Sequence, residues 1–177
     1  PAFPEVEYVF KHALTQEVAY NSVLTERRRV LHERTAQAIE GLYQARLEEH
    51  YGELAHHYSR SRNTEKAVEY LNLAGQQAVQ QSAYEEAIEQ FTAALELLYP
   101  LSDTPGRARE ELTLQIALGA SLIVTKGHQN PEVERTYIRA RELCEAVGEM
   151  PQFFPVLWGL SRVYTNRGDV RRGVEIA

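Results

Sequence analysis

Leu71-Asn72-Leu73-Ala74-Gly75-Gln76-Gln77-Ala78, followed across a turn by Ala87-Ile88-Glu89-Gln90-Phe91-Thr92-Ala93-Ala94, decides the fold class. Leu71, Ala74, Gly75 and Ala78 recur at three- and four-residue intervals, as do Ala87, Phe91 and Ala94, so each run puts an apolar stripe on one face of a helix. Small residues in these stripes let two helices approach closely, while Leu and Phe fill the space between neighbouring pairs. A pair built this way leaves a flank uncovered and needs a neighbour.

The same scheme precedes this stretch: Leu54-Ala55 and Tyr58, then Ala67, Leu71 and Ala74, with the turn Ser61-Arg62-Asn63 between the halves. It returns near the end as Leu157, Leu160-Ser161 and Tyr164, then Gly173. Between them, Leu118-Gly119-x-x-Leu122 opens a further pair. Its second helix reads as Ala140-x-x-x-Cys144-x-x-Val147, with Lys126-Gly127-His128-Gln129-Asn130 as an insertion. These residues resemble the W-x₂-L-G-x₂-Y…A-x₃-F…P signature of the tetratricopeptide-repeat (TPR) family, over residues 48–177, although the first two copies overlap instead of following at the usual period of about 34 residues. The resemblance implies an all-α fold of antiparallel helix pairs stacked as a right-handed solenoid.

Punctuation limits the helices. Ser82 and Glu85 have capping-box spacing, Thr104-Pro105 and Asn130-Pro131 each set a cap residue before proline, and Gly148 can end a helix. The reading is helices near 13–23, 25–43, 48–60, 64–81, 84–98, 107–126, 132–147, 152–166 and 169–177. The last is only about two turns long and lacks a polar capping repeat, so an excerpt from a longer protein is expected, with self-association through exposed repeat ends.

Composition agrees with a helical globular chain: 44% hydrophobic and 25% charged residues, with ten Gly and seven Pro among 177. A single cysteine, Cys144, excludes an intramolecular disulfide and suits a reducing, cytoplasmic compartment, where it reads as a small buried residue. No apolar run approaches membrane-span length, and the first residues lack signal-peptide character. The net charge of −6 is concentrated in residues 48–103, with three basic and ten acidic groups. Nucleic-acid binding needs an electropositive stripe, so neither nucleic acid nor membrane is expected as a partner.

Residues 1–47 follow another pattern. A β-prone run, Val6-Glu7-Tyr8-Val9-Phe10, leads into Lys11-His12-Ala13-Leu14 and Tyr20, then Arg27-Arg28-Arg29-Val30-Leu31-His32. Phe10, His12, Leu14, Tyr20, Arg28, Leu31 and His32 resemble the segment joining the ATPase module of STAND-type signalling ATPases to their helical repeats. The resemblance implies an upstream ATPase module in the full-length protein, in some members with a fused nucleotide-cyclase domain, and a nucleotide-sensing role for His12 there. The chain itself carries no phosphate loop and no Gly-Lys pair, so ATP hydrolysis by this region alone is not expected.

No catalytic residue, metal or cofactor is expected. His50, Glu53 and His57 fall at i, i+3 and i+7, with His56 beside them, but His32-Glu33-Arg34-Thr35-Ala36 misses the last position of the helical zinc motif, and ordinary surface or interhelical histidines are the expected reading. Arg27-Arg28-Arg29 project in different directions and read as a solvated helix start. Glu85-Glu86 and Glu110-Glu111 sit near helix N-termini, where they offset the macrodipole.

What remains is binding. On the helix 64–81, Asn72, Gln76 and Gln80 fall at i, i+4 and i+8, away from the packing stripe, on an uncharged face rich in donors and acceptors. These three are the candidate contacts for a protein or peptide partner of basic or neutral character. The resulting expectation is a non-catalytic interaction or signal-sensing region of a signalling ATPase. A stand-alone TPR adaptor is the alternative, and an enzyme or metal-binding helical protein the remote one.

Overall fold

The computed structural model describes residues 12–148 and 150–176 and is all-helical there, with no strand among the described residues. Its helices are α1 (Ala13–Ser22), α2 (Thr25–Leu42), α3 (Tyr51–Ser59), α4 (Thr64–Gln80), α5 (Tyr84–Leu98), α6 (Pro105–Lys126), α7 (Pro131–Val147), α8 (Met150–Asn166) and α9 (Val170–Ile176). The β-prone run 6–10 lies outside the described residues. Between α2 and α3, Gln44–His50 winds as a tighter 3₁₀ segment broken at Arg46 (φ −144°, ψ 36°), so α3 starts later than the apolar spacing predicts.

Several limits follow the expected chemistry. The Thr104 hydroxyl accepts a hydrogen bond from the Arg107 amide with Pro105 in the first turn, and the Asn130 side chain accepts from the Glu132 amide at 2.8 Å. Gly148 closes α7 in the left-handed conformation at φ 73°, where a side chain would be strained. The expected capping box at Ser82 and Glu85 is corrected. The cap position of α5 is Ala83, with no side-chain hydrogen bond, while Ser82 sits in the preceding turn at φ 60°.

Each helix from α2 to α9 packs on its neighbours in sequence, and α4 also touches α6, as α6 touches α8. Close approach depends on glycine. A Cβ on Gly75 would stand 2.5 Å from the ring of Phe91, which is fully buried. The ring of Tyr137 from α7 lies against both Gly119 of α6 and Gly159 of α8, and a Cβ on either glycine would come within 2.8 Å of it. Val133, Tyr137 and Ala140 are therefore the counterparts of Ala87, Phe91 and Ala94. The sequence reading of this pair, Ala140-Cys144-Val147, is thus seven residues too late, although Ala140 and Cys144 are fully buried.

One polar tie between helices is centred on Glu40 of α2. Its carboxylate accepts from the Tyr58 hydroxyl of α3 at 2.7 Å and from the Tyr70 hydroxyl of α4 at 2.5 Å, and Lys66 lies 3.4 Å away. The two tyrosine rings stack nearly parallel, 5.5 Å between centroids. A second tie joins α6 to α7: buried Glu111 accepts two bonds from the Arg139 guanidinium, at 2.6 and 3.1 Å, and pairs with Arg107 at 3.2 Å.

Candidate partner-binding site

Helix α4 shows two chemical faces because its sequence alternates them at helical spacing. Ala67, Leu71, Ala74, Gly75 and Ala78 are buried, whereas Asn72 is half-buried and Gln76 and Gln80 are exposed. Gln76 donates to the Asn72 side-chain oxygen at 3.1 Å, which fixes one donor and one acceptor and leaves the remaining amide capacity facing outward.

Three grooves border this face. One of about 350 Å³ lies between α4 and α6, lined by Val68, Glu69 and Asn72 on one side and Arg109, Glu110 and Thr113 on the other. A second, of about 500 Å³, continues along the same helices with Gln76, Gln80 and Val79 facing Ala117, Ala120 and Val124. A third, of about 260 Å³, opens on the opposite side of Gln76 and Gln80 toward Glu48 and Tyr51, where the Gln77 amide donates to the Glu48 carbonyl at 2.8 Å.

All three predicted carboxamides thus line grooves, Asn72 the first, Gln76 and Gln80 the other two. The apolar floor from α6 was not singled out by sequence, though Ala117, Ala120 and Val124, at i, i+3 and i+7, could have shown it. The expectation of an uncharged face needs adjustment at one end: Glu69 and Glu110 flank Asn72, with Arg109 beside them. Together the grooves offer side-chain amides that can bond a peptide backbone, an apolar floor for its side chains, and acidic groups at one end.

The other candidates are dispersed. His12 occupies the cap position of α1 without a side-chain capping bond. His50 bonds Glu53 at 3.1 Å and stacks on Tyr43, whereas His57 turns to His32, so 50, 53 and 57 do not converge. Arg28 bonds Asn21 and Thr25 and lies over the Tyr20 ring, and Arg29 pairs with Glu26, as expected of a helix start.

One cluster was not foreseen. His32 of α2 meets His57 of α3 through their Nδ1 atoms at 2.9 Å and meets the Tyr20 hydroxyl of α1 at 3.0 Å, with His56 and Arg60 alongside. Burial, then the positive neighbours His57, His56, Arg60 and Arg28, holds His32 below the ordinary histidine range. Burial and Arg60 lower His56, with His57 adding; His57 is lowered by burial and Arg60 against the opposing pull of Glu53. Among the described residues no group of three or more His, Cys, Asp or Glu side chains is placed to hold a metal ion. No described helix is long and apolar enough to cross a membrane.

No protein-family model matches the chain. No solved structure matches it either. An uncharacterized protein of Rhizobium meliloti (strain 1021) is 34% identical over 154 residues, covering 86% of this chain. The chain spans 15% of that relative's length.

Proposed function

We propose that this chain is a non-catalytic, TPR-like interaction region of a multidomain STAND-type signalling ATPase, holding a protein or peptide partner along α4 and α6. In this reading α2/α3, α4/α5, α6/α7 and α8/α9 are antiparallel pairs stacked as a right-handed solenoid. The contacts of α4 with α6 and of α6 with α8 support it, because first helices of successive pairs touch in such a stack. The segment 1–47 is then the linker from an upstream ATPase module, where His12 meets nucleotide. The much greater length of the Rhizobium relative supports a multidomain setting. A phosphate-loop module in the sequence before Pro1 is expected, and a start codon or an unrelated domain there would leave a stand-alone adaptor.

The observation that carries the binding assignment is the placement of Asn72, Gln76 and Gln80 along grooves with an apolar floor and an acidic end. Backbone-directed amides suit an extended or helical peptide, and Glu69 and Glu110 favour basic or neutral groups at the Asn72 end. The test uses a partner recovered from source cells. Asn72→Ala, Gln76→Ala and Gln80→Ala together should weaken its binding about tenfold or more with the melting midpoint nearly unchanged, and affinity should fall as salt rises. Undiminished affinity moves the site elsewhere.

A further inference from the structure

Helix α2 is held to its neighbours in two unlike halves. Toward its C-terminus, fully buried Ala36 packs in the core and Glu40 bonds Tyr58 and Tyr70. Ala36 is the one buried residue of α2, so ahead of it no side chain anchors the helix by burial. There His32 meets His57 of α3 through their Nδ1 atoms at 2.9 Å, and Glu26 pairs with Arg62 further toward the N-terminus. The Glu26–Arg62 pair is exposed, and such pairs contribute little in water. An open pocket of about 160 Å³ beside the two histidines, lined also by Val23, Leu31 and Thr35, stands where close packing would otherwise be. Helix α1 rides on this half. It has no buried residue and joins α2 through the Tyr20 hydroxyl, 3.0 Å from His32 Nε2, and through Arg28, which lies over the Tyr20 ring and bonds Asn21.

The Nδ1–Nδ1 contact tolerates one added proton and not two. In the neutral pair, and in the singly ionised one, an N–H on one Nδ1 donates to the lone pair of the other. Once both rings are ionised, both Nδ1 atoms are donors and their N–H groups face each other. We propose that the His32–His57 contact is a proton-operated latch: when both rings are ionised, α2 pivots away from α3 about its Ala36–Glu40 end and carries α1 with it, while α3 to α8 stay packed. The surroundings favour opening. Arg28 from α2 and His56 and Arg60 from α3 are positive or can become so, Tyr20 from α1 is neutral, and Glu53 of α3 acts in the opposite sense on His57. Burial first, and then these positive neighbours, hold His32 below 6.5, and His57 is lowered as well. The open form returns both rings to the ordinary value, so the closed form prevails at neutral pH and gives way as pH falls below it. Because the rings share one contact, the transition belongs to the pair and not to either residue. An ionised His32 can still donate from Nε2 to the Tyr20 oxygen. Helix α1 therefore travels with α2 instead of parting from it.

Spin labels at Glu17→Cys on α1 and Glu89→Cys on α5, both exposed positions, in a Cys144→Ala background, measure the separation of α1 from the body by pulsed electron resonance. One narrow distance is expected at about pH 7.5, replaced reversibly at about pH 5 by a longer and broader distribution, with the helical circular-dichroism signal kept. His32→Gln together with His57→Gln exchanges both titrating rings for amides that can still bond each other, and should hold the neutral-pH distance throughout. Arg60→Gln, at an exposed position, removes one opposing charge and should move the opening to lower pH. The proposal is overturned if the parent shows the same distance at both pH values, or if both variants open at the parent's pH. It is also overturned if distance and helical signal change together, since the chain would then unfold instead of opening at α2.

Discussion

One aromatic ring and one carboxylate show how single residues hold these helices at their distances. Phe91 occupies the place where a side chain on Gly75 would be, and Phe91 is fully buried, so its ring has nowhere to retreat. Gly75→Leu should therefore cost about 1–3 kcal/mol by overpacking in chemical denaturation; a loss below half the lower figure would mean that α4 and α5 pack otherwise. Glu40 acts differently, by satisfying two hydroxyls at once. Burial opposes its ionisation, but hydrogen bonds from Tyr70 and Tyr58 and the charge of Lys66 outweigh it, so its carboxyl sits below the usual range. Burial, and then the bond to Glu40, push both tyrosines well above theirs. Removing the carboxylate leaves two part-buried donors without their acceptor, so Glu40→Ala should cost about 1–3 kcal/mol. Tyr70→Phe, which leaves the bond from Tyr58, should cost less, about 0.5–1.5 kcal/mol. Equal losses from the two variants would mean that Tyr58 gains nothing from Glu40.

At the scale of elements, the junction of α1, α2 and α3 is sensitive to acid. Facing His32 are Tyr20 from α1, Arg28 on its own helix, and His56, His57 and Arg60 from α3, with the acidic Glu53 acting on His57. All three histidines are held below the ordinary value of 6.5. As pH falls through that value the unfolded chain takes up protons before the folded one, so stability present at neutral pH is lost on acidification. Glu40, also lowered, adds a loss in the same direction at the lower pH where free carboxylates protonate. Thermal melts from pH 7.5 down to about 5 should show a falling midpoint, with the fall reduced in His32→Gln; an unchanged slope in that variant would clear the cluster of the effect. Elements were largely legible in the sequence because small-and-large spacing and cap residues both point to helix, and every expected helix from 13 to 176 is present within a few residues. Three features were not. The 3₁₀ segment 44–50 has no periodic signal, Ser82 has cap chemistry but a turn conformation, and Val133-Tyr137-Ala140 yielded in the reading to a neighbouring run with the same four-residue spacing. The carboxamide face was readable because it lies on one helix. The His32–His57 contact, 25 residues apart, was not, since it exists only once α2 and α3 are packed.

Over the whole molecule, packing between sequence neighbours makes stability a local quantity. Where each helix rests chiefly on the helices before and after it, free energy is close to a sum of element and interface contributions, and the ends open more easily than the middle. The burial pattern sets the order. α1 has no buried residue, and Leu14, Val18 and Leu24 around it are more than 60% exposed. In α9 only Gly173 is buried, with Val170 and Val174 exposed. By contrast α5 sinks Ala87, Phe91, Ala94 and Leu98 to within 1% of full burial between α4 and α6. Native-state hydrogen exchange should therefore find the α5 amides protected to near the global unfolding free energy, those of α1 and α9 exchanging fastest, and α2 and α8 between. The proposed peptide grooves lie beside the most protected helices, so a partner there would meet a surface already in place. Uniform protection from α1 to α9 would mean that the chain unfolds as one unit, and the description by neighbouring interfaces would have to be abandoned.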